Sequence, residues 1–111
     1  MSEKIPFNVN ELVEKPWNKM AVYILTDEQK QQLVNHKKLV KREYFFRKGN
    51  KWDEHYHKES QILLLIKGQL THKAKNMDYV QNPNDLLIVP ANLPHSAYAN
   101  KDLHLYWFTK K

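Results

Sequence analysis

Along most of the 111-residue chain, apolar residues either alternate with polar ones or cluster in short runs, which is the period of β-strands. Met20 to Leu25 is the first β-favouring run. Leu39 to Arg47 is rich in Val, Tyr and Phe and ends at the turn signal Gly49-Asn50. Gln61 to Ile66 is nearly all apolar and predicts a buried strand that stops at Lys67-Gly68. Gln69 to Lys75 alternates, with Leu70, His72 and Ala74 on one side, and Asn76-Met77-Asp78 predicts the next turn. Tyr79 and Val80 continue the pairing until Asn82-Pro83-Asn84. Leu86 to Val89, stopped by Pro90, is a second buried run, and His95 to Ala99 and Leu103 to Thr109 complete the series. Short strands at a spacing of about 8–12 residues with turns between them predict a barrel or sandwich.

Two helical signals interrupt the pattern near the start. Asn10 can cap a short helix from Glu11 to Lys15 that Pro16 ends. Thr26-Asp27-Glu28-Gln29 resembles a capping box, predicting a helical turn or two from Asp27 to about Asn35, or else a polar excursion between strands. The expectation is one all-β domain: residues 1–38 supply strands and a short helical or extended segment, and residues 39–111 form the barrel core.

Composition narrows the picture. Cysteine is absent, which excludes a disulfide framework, a thiolate zinc site and a cysteine nucleophile. Met1-Ser2-Glu3-Lys4 opens no signal peptide, and the longest apolar stretch, Ile62 to Ile66, is far short of a membrane span. A cytoplasmic protein with no membrane partner is expected. The net charge of +6 raises the question of nucleic acid. Of eighteen basic residues only Arg42 and Arg47 are arginine, leaving sixteen scattered lysines. Nucleic-acid recognition favours the planar, bidentate guanidinium, so a solvated lysine-rich surface is the better reading. A basic field of this kind still draws small anions toward a cleft.

The chemistry lies with histidine. His55 and His57 are one residue apart, so on a strand they share a face, and Gln61 has the same parity. His95, 38 residues beyond His57, has enough chain before it to arrive alongside on another strand. A lone His-x-His pair is a weak signal, because exposed histidines need no metal. The surrounding spacing is more specific. Gly49, five residues, His55, one residue, His57, three residues, Gln61, six residues, Gly68 is one motif. Asn84, five residues, Pro90, one residue, Asn92, two residues, His95 is the second.

With these two motifs the chain resembles the cupin superfamily, over roughly the half from Gly49 to Asn100. The resemblance implies a single-domain jelly-roll barrel, commonly a homodimer, with one divalent metal held by His55, His57 and His95. Gln61 stands where the family's glutamate ligand usually falls, either as a fourth ligand or packed beside a three-histidine site. Asn84 and Asn92 replace glycines, and asparagine tolerates the left-handed region best among the alternatives. The asparagine that often closes the second motif would fall at Ala99, with Asn100 one place late.

Zinc, nickel, iron and manganese all suit such a donor set. Three imidazoles and an amide add no charge, so the ion would favour a small anionic, oxygen-rich ligand or substrate. The resemblance implies either a metal-dependent enzyme, acting on a sugar acid with the ion as Lewis acid or as an iron dioxygenase, or a non-catalytic sensor module; a metal-free cupin is a third reading. Glu59 shares the histidine parity and is a candidate general base, or an exposed turn residue. Tyr44, Tyr98, His104 and Tyr106 are candidate pocket-lining residues, or ordinary strand packing. Trp52 is expected at the barrel mouth, Trp17 and Trp107 in the core, and His36 and His72 on the surface. Ile5 to Val9 is a candidate exchanged strand between subunits.

Overall fold

The computed structural model describes residues 3–4 and 8–111. Two sheets face each other. One has six strands in the order β1-β2-β8-β5-β10-β3, the other four in the order β4-β9-β6-β7. The strands are β1 (Glu3–Lys4), β2 (Ala21–Ile24), β3 (Leu39–Phe46), β4 (Lys51–His55), β5 (Gln61–Lys67), β6 (Leu70–Ala74), β7 (Met77–Gln81), β8 (Asp85–Val89), β9 (His95–Ala99) and β10 (Leu103–Lys110). All pairings are antiparallel except β1 with β2. Among the described residues no helix is long and apolar enough to cross a membrane.

Two short helices, α1 (Val9–Glu14) and α2 (Asp27–Val34), make a third layer. Thr26 and Gln29 form the reciprocal capping box, with the Gln29 amide donating to Thr26 Oγ1 at 3.1 Å and the Thr26 amide to Gln29 Oε1 at 2.9 Å. Asn8 rather than Asn10 caps α1, its Oδ1 accepting from the Glu11 amide, because Val9, Leu12 and Val13 must all be inside the helix to share its buried face. Of the candidate exchanged strand, Ile5 to Phe7 lie outside the described residues and Val9 opens α1.

The helix layer explains the uninterrupted apolar runs of β5 and β8. Val9, Leu12, Val13 and Leu33 pack with Ile62, Leu64, Leu86, Ile88 and Phe108 on the outer face of the six-stranded sheet. The alternate residues Leu63, Leu65, Leu87 and Val89 pack between the sheets with Leu70, Ala74 and Ala99. Strands covered on both faces need no polar alternation. Each fully buried leucine here contributes roughly 1.5–3 kcal/mol.

Turns agree with left-handed demand. Gly49 and Gly68 have φ of +90° and +101°, and Asn84 and Asn92 have φ of 76° and 63° at the positions read as glycine substitutes. The hairpin between β6 and β7 turns on Lys75 and Asn76, both at positive φ, one step earlier than the turn expected at Asn76-Met77-Asp78. Ala74 pairs with Met77, so the two-residue loop leaves Met77 on the strand.

Candidate metal centre

His55 and His95 face each other across the β4–β9 pair, and His57 follows two residues after His55, just beyond the end of β4. One nitrogen from each of the three rings lies within 4.8 Å of the others. Two nitrogens on one ion at 2.0–2.1 Å stand about 3–4 Å apart, so a shift of about an ångström in the rings brings the three onto one ion. His57 is outside the ladder. Its loop is tied by the Asn92 amide, which donates to the His57 carbonyl at 2.7 Å, and its ring meets Trp107 edge-on at 5.7 Å.

Local backbone bonds orient two of the rings. His55 Nδ1 lies 2.6 Å from the Asp53 carbonyl, and His95 Nδ1 lies 2.8 Å from the Leu93 carbonyl. A carbonyl oxygen only accepts, so each Nδ1 must carry the proton. In the neutral form of either ring, Nε2 is then a bare lone pair. Burial pushes the His57 imidazole below its ordinary pKa, with the charges His55 and His95 would carry adding to it. Burial does the same to His95, opposed by its bond to the Leu93 carbonyl and aided by His55. In both rings the net effect, led by burial, favours the neutral, ligating form.

The β4 strand reaches this arrangement through a bulge. Trp52 pairs with Ala97 and His55 with His95, so three steps on β4 match two on β9. Residues three apart normally face opposite ways; the extra residue turns Trp52 and His55 inward together. Gln61, at the start of β5, is buried and lines the same cavity as the three histidines. Apart from His72, the rest of the wall is mostly apolar, including Phe46, Leu63, Val89, Leu105 and Trp107. The space open to the centre of a water molecule is about 40 Å³, room for only a few waters.

The other expected site residues lie elsewhere. Glu59 is exposed, in a separate groove beside Trp17, Ser60 and Pro90, because the chain leaves the strand after His55 and parity no longer governs it. Tyr98 is 46% exposed on the outer face of β9. His104 points outward, bonded to Glu43 Oε2 at 2.6 Å and stacked on Phe45. Tyr106 packs against the core on the helix side of the sheet. Tyr44 packs between the sheets on Phe46 and Trp107, which themselves line the cavity, without lining it.

Alternation along β10 accounts for this. Leu103, Leu105 and Trp107 point between the sheets, so His104 and Tyr106 cannot. Trp107 is thus a cavity wall, and Trp52 lines the cavity with it. His72 is the largest departure. Expected on the surface, it is 3% exposed and lines the cavity, sharing a face with Leu70 and Ala74. That parity was visible in the alternation of the strand, but which face turns inward was not.

Comparison with known proteins bears on the fold. The chain overlays an RmlC-like cupin from Shewanella frigidimarina at 22% identity and a TM-score of 0.59, over 66% of each chain, so it spans just under two thirds of that relative. It overlays a cupin superfamily protein from Desulfitobacterium hafniense at 16% identity and a TM-score of 0.60, over 99% of this chain and 94% of that one. Salicylate 1,2-dioxygenase from Pseudoaminobacter salicylatoxidans, a structure of its adducts with gentisate, overlays at 15% identity and a TM-score of 0.60, over 82% of this chain and 25% of that one. Curated proteins give no match. The family model for the AraC-like ligand-binding domain matches residues 44–109, from mid-β3 to the end of β10. With that match over more than half its length, and with a two-sheet barrel that overlays solved cupins, the chain belongs to the AraC-like ligand-binding family of the cupin superfamily.

Proposed function

We propose that the protein binds one divalent ion through His55, His57 and His95, with Gln61 as a fourth donor, and uses it to capture a small anionic, oxygen-rich compound. The observation that carries this reading is the pair of Nδ1 bonds to the Asp53 and Leu93 carbonyls, which leaves Nε2 of both rings free to ligate in a cluster whose three ring nitrogens lie within 4.8 Å of one another. The donor set is neutral, so a divalent ion there keeps its full formal charge, and the apolar wall strengthens its attraction for an anion. A bound ion of this kind supplies Lewis-acid polarisation of a ligand oxygen. Among the described residues no carboxylate lines the cavity, so chemistry beyond polarisation would have to use the ligand's own groups. A second reading, a ligand-sensing module without turnover, is supported by the AraC-like ligand-binding family match.

Elemental analysis of untagged protein, after supplementation with iron, nickel, manganese and zinc, tests the centre; near-stoichiometric uptake is expected, and none would refute it. Gln61→Glu adds one negative charge to the donor set. It should tighten metal binding and weaken the affinity of the loaded protein for acetate. Acetate affinity equal to the wild type's would rule out the charge argument.

A further inference from the structure

His72 is a buried polar group that the metal centre does not use. It stands outside the three-histidine cluster, and both of its ring nitrogens are buried without a hydrogen-bond partner. Burial lowers its pKa to about 3, opposed by nearby Gln81, so the ring is neutral at physiological pH. Gln81 spends its whole amide on other groups: Nε2 donates to the Leu63 carbonyl at 2.7 Å and to the Asp85 carbonyl at 2.8 Å. Only its oxygen is left for His72, and that oxygen also lacks a completed bond. A neutral imidazole facing an acceptor turns its single N–H toward it. The other nitrogen is then a bare acceptor. An orphaned acceptor in an apolar cavity wall is costly unless something fills it.

Strand register says where that something would sit. Trp52, Ala97 and His72 form one row across β4, β9 and β6. The next row holds His55 and His95, and on β6 Ala74 lies two residues beyond His72. Adjacent strands are about 4.8 Å apart, so Trp52 and His72 stand roughly 10 Å apart with only a methyl between them. The gap over Ala97 opens directly onto the histidine row, and all of these side chains except Ala74 line the one cavity.

We propose that His72 is a ligand-binding residue that accepts a hydrogen bond from the hydroxyl of a small hydroxy-carboxylate seated over Ala97, while the ligand's carboxylate reaches the metal centre. This rests on the metal-centre reading above. It adds a selectivity that the neutral donor set cannot provide: the ion attracts any small anion, whereas His72 rewards one carrying a donor. The neutral ring is too weak a base to take the hydroxyl proton, so the ligand keeps it and remains a donor.

The test compares glycolate with acetate, which differ by one hydroxyl, by calorimetry on metal-loaded wild type, His72→Phe and Ala97→Leu. Uptake of iron, nickel, manganese or zinc is measured first for each. Glycolate should bind wild type more tightly than acetate. The glycolate-to-acetate ratio should fall about tenfold in His72→Phe, the worth of one hydrogen bond, with metal affinity unchanged. Chelation of the ion by the hydroxyl is common to both proteins and cancels in that comparison. Ala97→Leu should weaken both anions and leave the metal in place. An unchanged ratio in His72→Phe with metal retained, a wild type indifferent to the hydroxyl, or unimpaired anion binding in Ala97→Leu would each overturn the inference while the metal centre stands. A wild type that takes up no ion would remove the centre, and this inference with it. If His72→Phe does not fold, His72→Leu carries the same comparison.

Discussion

Lowering the pH from 7 to 5 should destabilise the metal-free protein by about 2 kcal/mol through His72 alone. The folded ring has its pKa lowered to about 3 by burial, whereas in the unfolded chain it titrates near the ordinary value of about 6.5. Above the unfolded value neither state carries the proton and the contribution of the neutral buried ring is intact. Between there and the folded value the unfolded chain binds a proton that the native state refuses. Stability therefore falls with falling pH, by about 1.4 kcal/mol per pH unit. At pH 5 the span is about 1.5 units, hence the figure of about 2 kcal/mol. His57 and His95, also lowered, act in the same direction. The perturbation is His72→Phe, which keeps a ring in the same space and removes both unpartnered nitrogens. Urea unfolding of the two proteins at pH 7 and pH 5, with chelator present, gives the difference. The loss between the two pH values should be smaller in His72→Phe by about 2 kcal/mol. An identical pH dependence in both proteins would show that the ring is not held neutral by burial, and the reasoning would fail.

Other outcomes follow from the same geometry. A Cβ on Gly68 would stand 2.2 Å from the Asp102 carbonyl oxygen, so Gly68→Ala should cost several kcal/mol in urea unfolding. Gly49→Ala meets nothing within 4 Å and should cost only the left-handed penalty of about 1–2 kcal/mol. Thr26→Ala breaks the capping box and should lower stability by about 1 kcal/mol in the same assay, with far-ultraviolet dichroism little changed. His95→Ala should weaken metal binding at least about tenfold in a chelator competition, because it removes one of two pre-oriented lone pairs. Full affinity in that variant would take His95 out of the donor set.

Much of the fold was legible along the chain because its signals are local. Alternation and short apolar runs mark strands wherever the backbone is extended, and Gly68, Asn84 and Asn92 mark turns because few other residues accept positive φ. The Thr26-Gln29 box could be read for the same reason: both partners lie within one turn of helix. The three histidines were readable through the spacing of two motifs, each confined to one or two neighbouring strands and their turns.

Parity revealed which residues share a face, but not which face is inside. That depends on what covers the strand from each side, and the covering elements are distant in sequence. His72, the inward Trp107, and the outward His104, Tyr98 and Tyr106 were all settled by where the second sheet and the helix layer lie. Parity itself failed at two places. The β4 bulge turned Trp52 and His55 the same way, and the end of β4 released Glu59 into a separate groove. Both are departures from regular pairing, set by hydrogen bonds to strand β9 and to the Asn92 loop rather than by the residues of β4 alone. The strands themselves came from short-range pattern; the shape of the cavity came from long-range pairing, since only closure of the sheets decides which side chains lose their water.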